Sequence, residues 1–175
     1  MSCILNTGYS LGCRDNIGGI QKAYIRNWSA NTTYEYGVDG TITGATGSYS
    51  AETWYTFEVR PETGMFDPGQ GNHSLENGTN FWAQQLDLTL HKYQASVRTL
   101  LYALAQTEME ILVLTQNGQY ILMGEQNGAN LTASKASVGK AYGDMNGTTL
   151  TMLAKEPQPA RIVDTTLATT FTFSS

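Results

Sequence analysis

The chain has 175 residues and is 41% apolar, with 10 Lys and Arg against 15 Asp and Glu, a net charge of −5. That length can bury a hydrophobic core, and the apolar content excludes a disordered chain. The acid excess excludes a cationic groove that grips a nucleic-acid backbone, and no apolar run, residues 111–114 included, is long enough to cross a bilayer.

The first ten residues hold no basic segment leading into a long apolar one, so no signal peptide is expected. Cys3 and Cys13 are the only cysteines, and without an export signal they are expected as free thiols. Asn16, Gly18 and Gly19 mark a turn before a strand at residues 20–25. Residues 34–36 and 41–43 flank Asp39 and Gly40, a pair that tolerates the positive φ of a tight hairpin.

Residues 53–60 alternate, with Tyr55, Phe57 and Val59 on one face and Thr56, Glu58 and Arg60 on the other. Residues 81–91 repeat the pattern, with Trp82, Leu86, Leu88 and Leu90 on one face, interrupted by Gln84. Between these strands lie residues 61–80, rich in Gly and Pro and read as a long inter-strand loop. Met65, Phe66 and Leu75 are sizeable apolar groups within it and are expected to be covered by a partner. Trp54, opposite the apolar face of its own strand, is expected at a surface or subunit interface.

Residues 93–107 predict the one clear helix, with Val97, Leu100, Leu101 and Leu104 in a single stripe. A helix between two strands is expected to cap an open side of a sandwich or barrel. Beyond it, strands at residues 109–115 and 120–124 flank an Asn117 and Gly118 turn, and residues 125–128 form a second turn of the same chemistry. Strands are predicted at residues 137–143 and 148–155, around a turn at Asn146 and Gly147. A last alternating strand is predicted at residues 167–173. No second domain is evident, so residues 1–175 read as one domain, mainly β, an antiparallel sandwich or small barrel with one α-helix packed on it.

Catalytic and metal signatures are sparse. His73 and His91 lack the spacing of a metal site, and the chain holds no GxSxG motif and no P-loop. Glu58 and Asp87 on paired strands would imitate a glycosidase carboxylate pair, but a wet sheet face is the simpler reading. Glu108 and Glu110 are expected to bracket a solvent-facing strand. No catalytic residue, cofactor or metal ligand is expected, and the chain reads as a structural component, not an enzyme.

The second half carries a recurring set of turns: Asn117 and Gly118, Gly124, Gly128, Gly143 and Asp144, Asn146 and Gly147, then Glu156, Pro159 and Ala160. Together with the strand, helix, strand order upstream, over residues 53–164, this set resembles the tail tube (major tail) proteins of bacteriophages and related virion ring proteins. The resemblance implies six copies in a ring and stacked rings forming a conduit through which DNA passes without specific binding. It also implies partners among other tail or neck proteins, no membrane, and a place in the virion after synthesis in the host cytoplasm. Met65, Phe66, Leu75 and Trp54 would then be assembly contacts. A capsid decoration protein of similar fold is the alternative, and a carbohydrate-binding module a third reading.

Overall fold

Alternation and turn chemistry place most of the strands. The computed structural model describes residues 8–9, 14, 16–47 and 53–174, so Cys3 and Cys13 lie outside the described residues. The first strands are β1 (Ile20–Asn27), β2 (Thr33–Tyr36), β3 (Ile42–Thr46) and β4 (Trp54–Glu58). The hairpin expected at Asp39 and Gly40 joins β2 to β3, with Gly40 at φ 81° and the Asp39 carboxylate accepting from the Thr41 amide at 3.1 Å. Next come β5 (Met65–Ser74), β6 (Thr79–His91), α1 (Ala95–Leu104), β7 (Met109–Thr115) and β8 (Tyr120–Met123). The chain continues through β9 (Ala129–Ser137), β10 (Gly147–Glu156), β11 (Arg161–Val163), the single turn α2 (Thr165–Ala168) and β12 (Phe173–Ser174).

Among the described residues twelve strands belong to one hydrogen-bonded network, ordered β2-β3-β11-β8-β7-β9-β10-β6-β5, with β1 joined to β7 and β4, and β12 to β4. Pairing is antiparallel except for two short parallel contacts, β3 with β11 and β4 with β12. The link from β7 to β9 is the single pair Met109 and Ala129, and there the network folds over on itself. One layer is β5-β6-β10-β9; the other carries β4-β1-β7-β8. The fold is therefore mainly β, a sandwich with a helix at its side.

The first core lies between the layers: Ile25, Phe57, Ile111 and Val113 from one meet Leu86, Leu88, Leu150 and Met152 from the other. α1 joins this core through Leu104, with Leu100 and Leu101 packed against it, so the predicted stripe does face inward. A second core covers the other face of β1, β4, β7 and β8. Tyr24, Trp54, Leu112 and Leu122 meet Tyr34, Ile42, Val163, Leu167 and Phe171 there.

Several expectations change. Residues 61–80 are not a loop: most of the segment is β5 and the start of β6, paired from Met65 opposite Asp87 to Ser74 opposite Thr79. Its Pro and Gly are accommodated because, among the described residues, β5 is an edge strand with only β6 as neighbour, and because the register shifts between Asp67 and Gln70. A proline removes no ladder bond at such a place. The Pro68 carbonyl instead accepts from the Ala160 amide at 2.8 Å.

Trp54 is 0% exposed. Its predicted face was right, but that face is covered by the second core. The strand expected at residues 137–143 is displaced to β9, whose small polar residues hide the alternation on which strand reading depends. Residues 140–144 instead wrap around Asp144, whose carboxylate accepts from the amides of Lys140 at 2.7 Å and Ala141 at 2.8 Å. The strand expected at residues 167–173 does not form. Residues 167–168 end the turn α2, which Asp164 caps by accepting from the Thr166 amide at 2.7 Å, and of the segment only Phe173 lies in a strand, β12.

Candidate functional site

The four expected assembly residues are not brought together. Met65 opens β5 and is 56% exposed, on the outer face beside Asp87. Phe66 points the other way, opposite Leu86, and packs against the first core. Leu75 occupies the turn between β5 and β6 and is fully exposed. Trp54 stacks on Phe171 with centroids 5.3 Å apart, beneath the guanidinium of Arg26 at 4.8 Å. Met65 and Leu75 therefore remain available to a partner, Phe66 is only half-available, and Trp54 is structural.

The outward face of the β5-β6-β10-β9 layer is a regular four-stranded surface. Alternation from the buried Leu86, Leu88, Leu150 and Met152 turns Gln85, Asp87, Thr89, Thr149 and Thr151 outward. Register adds Met65, Asp67, Gln70 and Asn72 from β5, and Lys135 beside Thr149 from β9. Asp87 is tied down by the Thr151 hydroxyl at 2.6 Å and the Gln85 amide at 2.9 Å, and Lys155 lies 5.8 Å from the centre of the Phe81 ring. The result is a mostly polar surface of Thr, Gln and Asn, interrupted by Phe81 and Leu153, on which the two cations Lys135 and Lys155 stand among Asp67 and Asp87.

A groove of about 800 Å³ opens beside α1. Val97, Leu100 and Leu104 of the helix face Phe57, Val59 and Leu90 across it, and Arg60, Pro61 and His91 contribute further lining. Glu58 also lines it but lies 3.8 Å from the Lys22 ammonium.

Chemistry is concentrated in one buried cluster that the sequence reading missed. Glu110, expected to face solvent, is 1% exposed. Arg26, also 1% exposed, donates to it from Nε at 2.7 Å and from Nη2, while the Tyr34 hydroxyl donates to its other oxygen. Arg26 Nη2 also reaches Thr32 Oγ1 at 3.1 Å. Burial pushes the Glu110 carboxyl above the usual range, opposed by the Arg26 charge and the Tyr34 hydrogen bond. The cluster joins β1, β2 and β7 and has a structural role. The available signal was that Glu110 shares a strand face with Leu112, as Arg26 does with Tyr24.

The chain matches no family model, no curated protein and no solved structure.

Other candidates are separated. Glu58 and Asp87 do not face each other, since β4 pairs with β1 and β12 while β6 pairs with β5 and β10. His73 Nδ1 lies 2.7 Å from Asn80 Oδ1 and its ring stands edge-on to Trp82, which fixes it in the hairpin. Among the described residues no three of His, Cys, Asp and Glu converge on a metal-sized site. None of the described helices is long and apolar enough to cross a membrane.

Proposed function

We propose that the protein is a structural virion component, a phage tail tube or neck ring subunit that assembles into stacked hexameric rings forming a conduit for DNA. The observation that carries this reading is the outward face of β5, β6, β10 and β9. A wall past which DNA slides must lack the ordered cations that hold phosphates. Thr89, Thr149, Thr151, Gln85 and Gln70 meet that need, and Asp67 and Asp87 offset the two cations of this face, Lys135 and Lys155. The turn residues shared with tail tube proteins support the same reading, as do the open edge of β5 and the exposed Met65 and Leu75 on its hairpin. In this role the chain needs no cofactor and performs no catalysis.

Negative-stain microscopy and sedimentation of the purified protein provide the test. Six-membered rings or tubes are the expected result. Trimers that bind only to capsid surfaces would favour the decoration role instead, and stable monomers at all concentrations would overturn assembly altogether. Trp54 is buried and offers no ring face to a glycan, so a carbohydrate-binding role cannot use it.

A further inference from the structure

A protruding apolar tip and an open apolar groove lie at opposite ends of one strand. Leu75 projects from the β5–β6 turn with its side chain fully exposed and Glu76 beside it. The groove lies at the other end of β6, where Leu90 and His91 line it. β6 has 13 residues, so the two features are roughly 40 Å apart at about 3.4 Å per residue. A tip cannot reach the groove of its own chain across that span. Copies that keep the same direction join such surfaces head to tail and build an open stack, whereas an antiparallel pair, each tip in the other's groove, would close at two copies and overturn an axial contact.

We propose that the β5–β6 turn of one copy seats Leu75 in the groove beside α1 of the next copy, making the axial contact between stacked units. This inference rests on the ring reading above and names the acceptor for its hairpin. The groove offers apolar walls from Val97, Leu100 and Leu104 on one side and Phe57 and Val59 on the other, with room for Leu75 and the turn residues around it. Its volume falls in the range of roughly 300–1,000 Å³ typical of pockets that enclose a ligand. Charge is complementary as well. Glu76 accompanies Leu75, and the exposed Arg60 lines the groove, where Glu58 is already opposed by Lys22.

Two surface variants test this without disturbing the core. Leu75→Asp removes the apolar tip from an exposed turn. Ala103→Glu places a charge in the groove from an exposed helical position, using a residue that favours helix. Each variant alone should form single unstacked units, with a melting temperature equal to that of the unaltered protein. Mixing the two should yield pairs of units and nothing longer, since one supplies the intact tip and the other the intact groove. Sedimentation velocity reads all three states.

Stacking by either variant alone, or a mixture that stays unpaired, overturns the proposal. Rings of the unaltered protein that form and stack while both variants also stack would overturn this contact and leave the ring reading standing. An unaltered protein that never associates overturns both. The dye 1-anilinonaphthalene-8-sulfonate should bind single units and be displaced on stacking; equal binding by both states would assign the groove to a small apolar ligand and overturn the contact.

Discussion

Gln84 interrupts an otherwise apolar strand face, and its surroundings explain why. It is 2% exposed, its carbonyl oxygen accepts from the Gly124 amide at 3.1 Å, and its nitrogen donates to the Gln158 carbonyl at 3.2 Å. Gln84→Leu would add apolar surface yet strand both backbone groups, so it should destabilise by about 1–3 kcal/mol. For a chain of this size each kcal/mol lowers Tm by about 2–4 °C, which calorimetry resolves. Trp54→Ala should cost more, about 3–5 kcal/mol, by emptying the centre of the second core. A variant that folds normally but fails to assemble would instead return Trp54 to an interface. Asp144 gives a pH signature. Its carboxyl is held below the usual range by the amides of Ala141 and Lys140, so its contribution is present above the unfolded value of 3.8 and lost as pH falls through the lower folded value. The amide resonances of Lys140 and Ala141 should shift with a midpoint below that of a free aspartate, and Asp144→Asn should abolish the transition.

At the scale of elements, local chemistry was legible wherever alternation or a turn signal was strong. β4, β6, α1, β7 and β8 lie close to where their side-chain periods place them, and Asp39 with Gly40 and Asn117 with Gly118 mark real turns. β5 was hidden because an edge strand tolerates the Pro and Gly that elsewhere signal a loop. β9 was hidden because its neighbour β10 holds it through the backbone while its side chains stay small and mostly exposed. The burial of Trp54 and Glu110 was illegible for another reason. Alternation reveals one covered face, and the second cover comes from chain segments remote in sequence. Of the expected assembly residues, Met65 and Leu75 were legible as exposed apolar groups, but the groove was not, since it is assembled from β4, β6 and α1. Gly124 tests the connection from β8 to β9. It sits at φ 77°, and a Cβ there would lie 2.8 Å from the Ala129 amide nitrogen. Gly124→Ala should therefore cost at least the roughly 1–2 kcal/mol of a left-handed non-glycine residue, read as a lower urea midpoint with an unchanged slope.

The whole molecule carries its negative charge with few cations to concentrate. Assembled protein should retain no duplex DNA in a mobility-shift assay even at about 50 mM salt, where phosphate contacts are strongest. Retention that falls steeply with added salt would mean a cationic track and would defeat the conduit reading. The placement of the second core also bears on how the protein is made. Trp54 and Tyr24 belong to strands synthesised early, yet Leu167, Ala168 and Phe171, which close over them, are translated late. At roughly 5–20 residues per second the wait is on the order of ten seconds. During that interval Tyr34 and Ile42 can cover only part of this face, and the side of Trp54 that Phe171 closes stays open, so the nascent chain needs shielding until α2 emerges. A nascent chain arrested after Val163 should still be cut by protease near Trp54, and one extended through Ser174 and released should resist.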